Sequence, residues 1–125
     1  MKLYFWTFSS ALLILLIVYL SFFSFTLSEG ESFFEHQDKL AHFLLYSFLT
    51  FTLIRSFKSE IDFRNPIIMA SITAFLFGAF IEILQPVLTD YRQGSFLDAL
   101  FNSFGILFTL FLVTFKKNIF FGARN

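Results

Sequence analysis

The chain has 125 residues, of which 57% are hydrophobic and 14% are charged, and its mean hydropathy is +0.74. A soluble domain carries about 25% charged residues, so this composition excludes an ordinary water-soluble protein and indicates one that is surrounded by lipid. The net charge is zero, which leaves no basic surface for nucleic acid, and the absence of cysteine excludes disulfides, thiolate metal sites and thiol nucleophiles.

The first apolar segment runs from Leu3 to Leu27 without a charged residue. About 20 apolar residues cross the hydrocarbon core of a bilayer, whereas the apolar region of a cleaved signal peptide has only about 7–15 residues. We therefore expect residues 3–27 to form a retained transmembrane helix.

The second predicted helix covers residues 39–57. Its uncharged stretch is short for a transmembrane helix, because Lys39 and Arg55 lie near its two ends. Long basic side chains can extend along a helix until their charge reaches water. We expect both residues to do so.

The third predicted helix covers residues 66–86. Asn65 is the expected N-cap, and Pro66 is suited to the first helical position, where no backbone N–H is needed. Pro86 cannot donate the next helical hydrogen bond, so it is expected to end or kink the helix.

The fourth predicted helix covers residues 95–115 and ends before Lys116 and Lys117. With it, nearly the whole chain is used. The predicted fold class is therefore all-α: a polytopic membrane protein whose four transmembrane helices form one bundle and one domain, residues 1–125.

The basic residues are distributed unequally between the two sides of the membrane. Cytoplasmic loops carry the excess of Lys and Arg, which sets the orientation of a membrane protein. With the N-terminus inside, the outer side holds Lys39 and Arg92, and the cytoplasmic segments hold the other seven of the nine basic residues: Lys2, Arg55, Lys58, Arg64, Lys116, Lys117 and Arg124. We therefore predict that both termini are cytoplasmic, with outer loops at residues 28–38 and about 89–94.

Polar residues occur near the outer ends of three helices, spaced three or four residues apart, which places them on one face of each helix. They are Asp38, His42 and Tyr46 on the second helix, Gly78, Glu82 and Gln85 on the third, and Asp98, Asn102 and Gly105 on the fourth. A charged group in a transmembrane helix costs roughly 2.5–3.5 kcal/mol on insertion scales, so each needs a reason. The matching faces and depths predict one outward-facing site, over which Arg92 of the outer loop can fold.

Several of these residues also have a purely structural explanation. Asp98 follows Ser95 by three residues, the spacing of a capping box at the start of the fourth helix. Asp38 has the position of an N-cap, and His42 can be a hydrogen-bonded histidine in the bundle interior. Glu82 can pair with a neighbouring side chain and only hold helices together.

The residue types indicate ligand binding rather than a known catalytic motif. Ser95 has no evident base, so a serine hydrolase is disfavoured. A divalent metal at Asp38, His42, Glu82 and Asp98 is chemically possible, but the spacing matches no recognised metal motif. We therefore predict neither a metal nor another cofactor.

The preferred hypothesis is a headgroup site in the outer leaflet, with a membrane lipid or a lipid-linked phosphate as the partner. Arg92 and Lys39 would hold the phosphate. Candidates for proton transfer are Glu82, Asp98 and His42. The other residues predicted to bind the headgroup are Asp38, Tyr46, Gln85 and Asn102. Whether the protein is an enzyme stays open.

A protein without a substrate is the main alternative. It would act as a membrane scaffold or as a modulator of a cell-envelope complex, and its polar faces would fix the bundle. Proton-coupled transport is disfavoured because the inner halves of the helices carry no polar relay.

The polar residues fall in three motifs that resemble those of the VanZ-like family of small bacterial membrane proteins. The motifs are DKLAHFLLY (Asp38, Lys39, His42, Phe43, Tyr46), GAFIEILQ (Gly78, Glu82, Gln85) and RQGSFLDALFNSFG (Arg92, Ser95, Asp98, Asn102, Gly105). The resemblance covers residues 38–105. It implies a four-helix protein of the bacterial cytoplasmic membrane, in some members linked to reduced susceptibility to glycopeptide antibiotics such as teicoplanin. A lipid-linked cell-wall precursor is then the natural headgroup.

Overall fold

A computed structural model of the chain describes residues 3–23, 37–90 and 95–116. Within these residues the chain forms four α-helices and no strand: α1 (Phe5–Phe22), α2 (Gln37–Ser59), α3 (Pro66–Leu88) and α4 (Phe96–Phe115). Each helix is long and apolar enough to cross a membrane. The prediction of an all-α protein with four such helices is confirmed.

The first two helices have bounds that differ from the predicted ones. α1 begins at Phe5 rather than at residue 3, and the predicted residues 24–27 lie outside the described residues. α2 is longer than expected at both ends, so Asp38 lies in its first turn. The expectation that Asp38 is an N-cap is therefore wrong. A carboxylate in the first turn still interacts favourably with the helix dipole.

The third helix continues past Pro86 and ends at Leu88. A proline removes one hydrogen bond, here the bond to the Glu82 carbonyl, but N–H groups that follow the proline can still form helical hydrogen bonds. The Thr89 N–H, for example, donates to the Gln85 carbonyl at 3.0 Å. The proline therefore does not end α3.

The starts of α3 and α4 are capped differently. Asn65 occupies the N-cap position of α3, but its side chain makes no capping hydrogen bond, and Pro66 is the first helical residue. At α4, Ser95 is the N-cap, and its hydroxyl accepts a hydrogen bond from the Asp98 N–H at 3.4 Å. Only the second of the two predicted side-chain caps is therefore formed.

The second helix lies at the centre of the bundle and contacts all three others. It is the least apolar and the most buried of the four membrane-spanning helices. Several of its hydroxyl side chains donate to backbone carbonyls of the same helix: Thr50, for example, donates to the Tyr46 carbonyl at 2.7 Å. The short uncharged stretch of α2 is tolerated because protein surrounds more of this helix than of the other three.

Small residues allow the other helices to approach α2 closely. Ala70 and Ala74 of α3 are fully buried in the core beside Leu49 of α2. Gly105 of α4 lies against the α2 backbone, where Ser47 donates to the Gly105 carbonyl at 3.2 Å. Close approach at small residues and interhelical hydrogen bonds are the usual basis of helix association in membranes.

Large apolar side chains cover the outside of the bundle. On α3, for instance, Phe75, Leu76 and Phe80 are more than half exposed. A continuous apolar surface of this kind is unfavourable in water, whereas lipid chains solvate it well. The packing therefore agrees with the composition in indicating a multi-pass membrane protein.

A buried carboxylate that the sequence did not indicate caps the start of α1. Glu60, just after α2, accepts hydrogen bonds from the Trp6 and Thr7 N–H groups, both at 2.7 Å, and from the Thr7 hydroxyl at 2.7 Å. The first turn of α1 contains no acidic residue, and Tyr4 at the N-cap makes no side-chain capping bond. The start of α1 therefore has N–H groups that its own side chains do not cap, which indicates that another element must cap them.

Candidate functional site

The predicted polar residues come together at one end of the bundle, where α1 and α3 end and α2 and α4 begin. Side-chain contacts there connect α2 to α4, α3 to the start of α4, and α3 to the end of α1. We call the following residues the polar cluster: Asp38, His42, Glu82, Asp98 and Asn102.

A buried hydrogen bond joins His42 and Asn102 of the polar cluster. His42 Nδ1 lies 2.8 Å from Asn102 Oδ1. Both residues are buried, at 9% and 3% exposure. Because an amide oxygen only accepts, Nδ1 carries the proton in this pair and donates it to Asn102.

The other ring nitrogen of His42 faces two carboxylates. Nε2 lies 3.9 Å from Asp38 Oδ1 and 4.0 Å from Asp98 Oδ2. These distances are beyond hydrogen-bond range, so the imidazole and the carboxylates interact electrostatically across a gap. Asp98 is buried, whereas Asp38 is exposed at the end of the bundle.

The Glu82 carboxylate is fixed at the start of α4. Its Oε2 accepts a hydrogen bond from the Ser95 N–H at 3.1 Å. In a capping box that second bond belongs to the acidic residue three positions after the cap, which here is Asp98. Glu82 of the neighbouring helix takes this role, and the Asp98 carboxylate lies toward His42.

The second oxygen of Glu82 is unsatisfied. Oε1 is buried and has no hydrogen-bond partner among the described residues. Glu82 therefore presents one buried, unbonded carboxylate oxygen at the same end of the bundle as the polar residues of α2 and α4.

At this end of the bundle, two further buried polar atoms have no hydrogen-bond partner among the described residues, the Tyr46 hydroxyl and Asn102 Nδ2. Both lie beside Gly78 of α3. A methyl group added there would come within 2.9 Å of the Tyr46 ring and 3.3 Å of Asn102 Nδ2. The glycine thus lets Tyr46 of α2 and Asn102 of α4 approach the same point of α3.

The remaining predicted site residues have separate positions. Gln85 is buried and donates from Nε2 to the Ser21 carbonyl at 3.3 Å, so it connects α3 to the end of α1. Lys39 is half-buried in the first turn of α2. Arg92 lies outside the described residues.

The arrangement is suited to binding a polar ligand. Nearly all buried polar groups in proteins have a hydrogen-bond partner, and an unsatisfied one costs about 1–3 kcal/mol. Tyr46, Glu82 and Asn102 offer two donors and one acceptor to a ligand or to water. Asp38, His42 and Asp98 each place one possible metal ligand atom within 4.8 Å of the others.

Comparison with protein-family models, with curated proteins and with solved structures finds no match to the chain. Function must therefore be argued from the side chains at this end of the bundle.

Proposed function

We propose that the polar cluster binds the phosphate-bearing headgroup of a membrane lipid or of a lipid-linked cell-envelope precursor. The observation that carries this proposal is the set of three buried, unsatisfied polar atoms beside α3: Tyr46 Oη, Asn102 Nδ2 and Glu82 Oε1. The hydroxyl and the amide nitrogen can donate to phosphate oxygens, and the carboxylate oxygen can accept from a headgroup hydroxyl.

The position of these atoms suits a lipid better than a soluble metabolite. They lie in membrane-spanning helices, within a few turns of one bundle end, where lipid headgroups meet the protein. The helices around them are apolar on the outside, so a ligand with a hydrocarbon chain can stay in the bilayer while its headgroup enters the cluster.

Two basic residues are proposed to neutralise the phosphate. Lys39 lies in the first turn of α2, next to Asp38 in sequence. Arg92 precedes Ser95 by three residues, and the Ser95 N–H is bonded to Glu82. An arginine fork can bind two phosphate oxygens at once, which favours Arg92 as the main phosphate ligand.

The proposed cellular setting follows from charge distribution and from the three VanZ-like motifs. The excess of basic residues at the opposite end of the bundle favours cytoplasmic termini and an outward-facing cluster in a bacterial cytoplasmic membrane. The resemblance favours a cell-wall precursor as the headgroup and an effect on teicoplanin susceptibility. If the headgroup is also chemically changed, His42, Glu82 and Asp98 are the proposed proton carriers.

A scaffold without a substrate is the second candidate, and one observation favours it. The polar side chains already connect the helices: His42 bonds to Asn102, Glu82 to the Ser95 N–H and Gln85 to the Ser21 carbonyl. The double variant Glu82→Gln/Asp98→Asn distinguishes the two. A preserved cellular phenotype with an unchanged fold supports the scaffold, and a lost phenotype with an unchanged fold supports the site.

Ligand-dependent thermal stability tests the proposal directly. We expect polyprenyl phosphate or phosphatidylglycerol to raise the unfolding temperature of the purified protein, since a ligand at 100 times its Kd stabilises the folded state by about 2.7 kcal/mol. Glu82→Gln should reduce the shift with phosphatidylglycerol, because the carboxylate is the proposed acceptor for the headgroup hydroxyls. Glu60→Gln is the matched control, because Glu60 is an equally buried carboxylate at the other end of the bundle. No shift with either lipid, or equal shifts in both variants, contradicts the proposal.

A further inference from the structure

Three side chains from two helices direct ligand atoms toward one small space. Asp38 and His42 are four residues apart on one face of α2, and Asp98 comes from the first turn of α4. His42 Nε2 is 3.9 Å from Asp38 Oδ1 and 4.0 Å from Asp98 Oδ2. Since these atoms are too far apart to be hydrogen-bonded to one another, they surround a space between them.

The hydrogen bond of the histidine orients its second ring nitrogen toward this space. Nδ1 donates its proton to Asn102 Oδ1 at 2.8 Å, so a ring with this tautomer presents a lone pair at Nε2. That lone pair and the two carboxylate oxygens face the same space. Metal-binding histidines have this arrangement, with the second ring nitrogen donating to an oxygen acceptor.

Glu82 provides an independent indication of a ligand. It is 8% exposed, its Oε2 is held by the Ser95 N–H, and its Oε1 is buried without a partner among the described residues. Glu82 thus adds a buried, unsatisfied carboxylate oxygen at the same end of the bundle.

We propose that Asp38, His42 and Asp98 bind one divalent transition-metal cation, with Zn²⁺ and Mn²⁺ as the matching ions, and that Glu82 lies beside it as a further carboxylate. Imidazole and carboxylate ligands together suit zinc and manganese, whereas magnesium and calcium prefer sites made of oxygen alone. From the sequence alone a metal is disfavoured, because the spacing of these residues matches no recognised metal motif. The packing of α4 against α2 brings Asp98 to the Asp38 and His42 pair.

The geometry requires a small closure on binding. Ligand atoms around a tetrahedral zinc are roughly 3.3 Å apart, given bonds of about 2.0–2.1 Å. The three atoms here lie somewhat farther apart, within 4.8 Å. Asp38 is exposed in the first turn of α2, so its side chain can move inward without disturbing the core.

Three protein ligands leave at least one coordination position for water or for a phosphate oxygen. The cation would then offset the carboxylate charges next to a bound phosphate. The metal site nevertheless rests on Asp38, His42 and Asp98 alone, and it stands whether or not a headgroup binds.

Metal titration of the purified protein tests the proposal. The protein is prepared without a polyhistidine tag, stripped with a chelator and titrated with Mn²⁺, followed by the electron paramagnetic resonance signal of the free ion, and with Zn²⁺, followed by calorimetry. We expect one ion per chain. Asp98→Asn and Asp38→Asn should each weaken binding at least tenfold, and Glu60→Gln should not change it.

The role of Asn102 as a positioning residue has its own readout. Loss of the acceptor for the histidine N–H typically lowers metal affinity by about 10–100-fold, so Asn102→Ala should have this effect. Asn102→Asp keeps an oxygen at the same place and should restore tight binding, which a residue that only fills space would not do.

Two results would overturn the proposal. One is the absence of stoichiometric Zn²⁺ or Mn²⁺ binding by the folded wild-type protein. The other is wild-type metal affinity in Asp38→Asn. Asp38 is exposed, so this variant should fold and remains a valid test even if Asp98→Asn does not fold.

Discussion

The close approach of α4 to α2 at Gly105 leads to a prediction about stability. In Gly105→Ala the new methyl group would press against the Phe43 carbonyl oxygen and would lie 3.1 Å from the Ser47 nitrogen. Both are backbone atoms of α2, so the strain can be relieved only if α2 and α4 move apart. That movement also strains two interhelical hydrogen bonds, from Ser47 to the Gly105 carbonyl and from Thr109 to the Ser47 carbonyl.

The magnitude follows from three opposing contributions. Overpacking a well-packed site costs typically about 1–3 kcal/mol. The two strained hydrogen bonds are worth roughly 0.6 kcal/mol each in a membrane protein. Alanine is favoured over glycine in a helix by about 1 kcal/mol, which offsets part of the cost. We therefore expect Gly105→Ala to lower the free energy of unfolding by about 1–3 kcal/mol.

Equilibrium unfolding in mixed detergent and dodecyl sulfate micelles, followed by the helical circular dichroism signal, measures this loss. Gly78→Ala is the comparison, because its methyl group would meet side-chain atoms of Tyr46 and Asn102, which can shift without separating the helices. It should cost less than Gly105→Ala. Wild-type stability in Gly105→Ala, or a larger loss in Gly78→Ala, refutes the close approach of α2 and α4.

Three further predictions concern caps and orientation. Glu60→Ala should destabilise the protein by about 1–3 kcal/mol, since it leaves N–H groups of α1 unsatisfied. It should also shift the fluorescence of the single tryptophan, Trp6. Unchanged emission and stability would show that Glu60 does not cap α1. Ser95→Ala should cost about 1 kcal/mol in the same unfolding assay through loss of the α4 cap, and no loss contradicts that cap. The chain has no cysteine, so single substitutions report orientation: an impermeant maleimide should label Asp90→Cys in intact cells but Asp62→Cys only after lysis, and the reverse pattern excludes cytoplasmic termini.

Much of the architecture follows from patterns that act along one helix. Apolar length predicts each of the four helices, because the hydrocarbon thickness sets it. Spacing of three or four residues assigns His42, Glu82 and Asn102 to particular faces, and the distance from the helix ends assigns their depth. The structure brings these three residues to one end of the bundle because consecutive helices run in opposite directions.

The pairing of these residues depends on how helices rotate and pack, which no single segment specifies. Asn102 bonds to His42, and the Ser95 N–H bonds to Glu82 rather than to Asp98. Gln85 has the same spacing as the others, yet it reaches α1 instead of the polar cluster. Spacing fixes the face of a residue but not the neighbour that this face meets.

The sequence also does not indicate which residues outside the helices are buried. Glu60 follows the end of α2 and reads as an exposed loop residue, but it is 7% exposed and caps α1. Its burial requires α1 to lie beside the end of α2, which is a tertiary fact. The packing of α4 against α2 is likewise a tertiary fact, and it places Asp98 beside the Asp38 and His42 pair of α2.

Mass spectrometry of the lipids that copurify with the protein tests the central claim most directly. The wild-type protein and the Glu60→Gln control should retain the same phosphate-bearing lipid, and Glu82→Gln should lose most of it while keeping its helical content. Retention of an identical lipid set by all three proteins, or of no phosphate-bearing lipid by the wild type, would contradict a headgroup site at this end of the bundle.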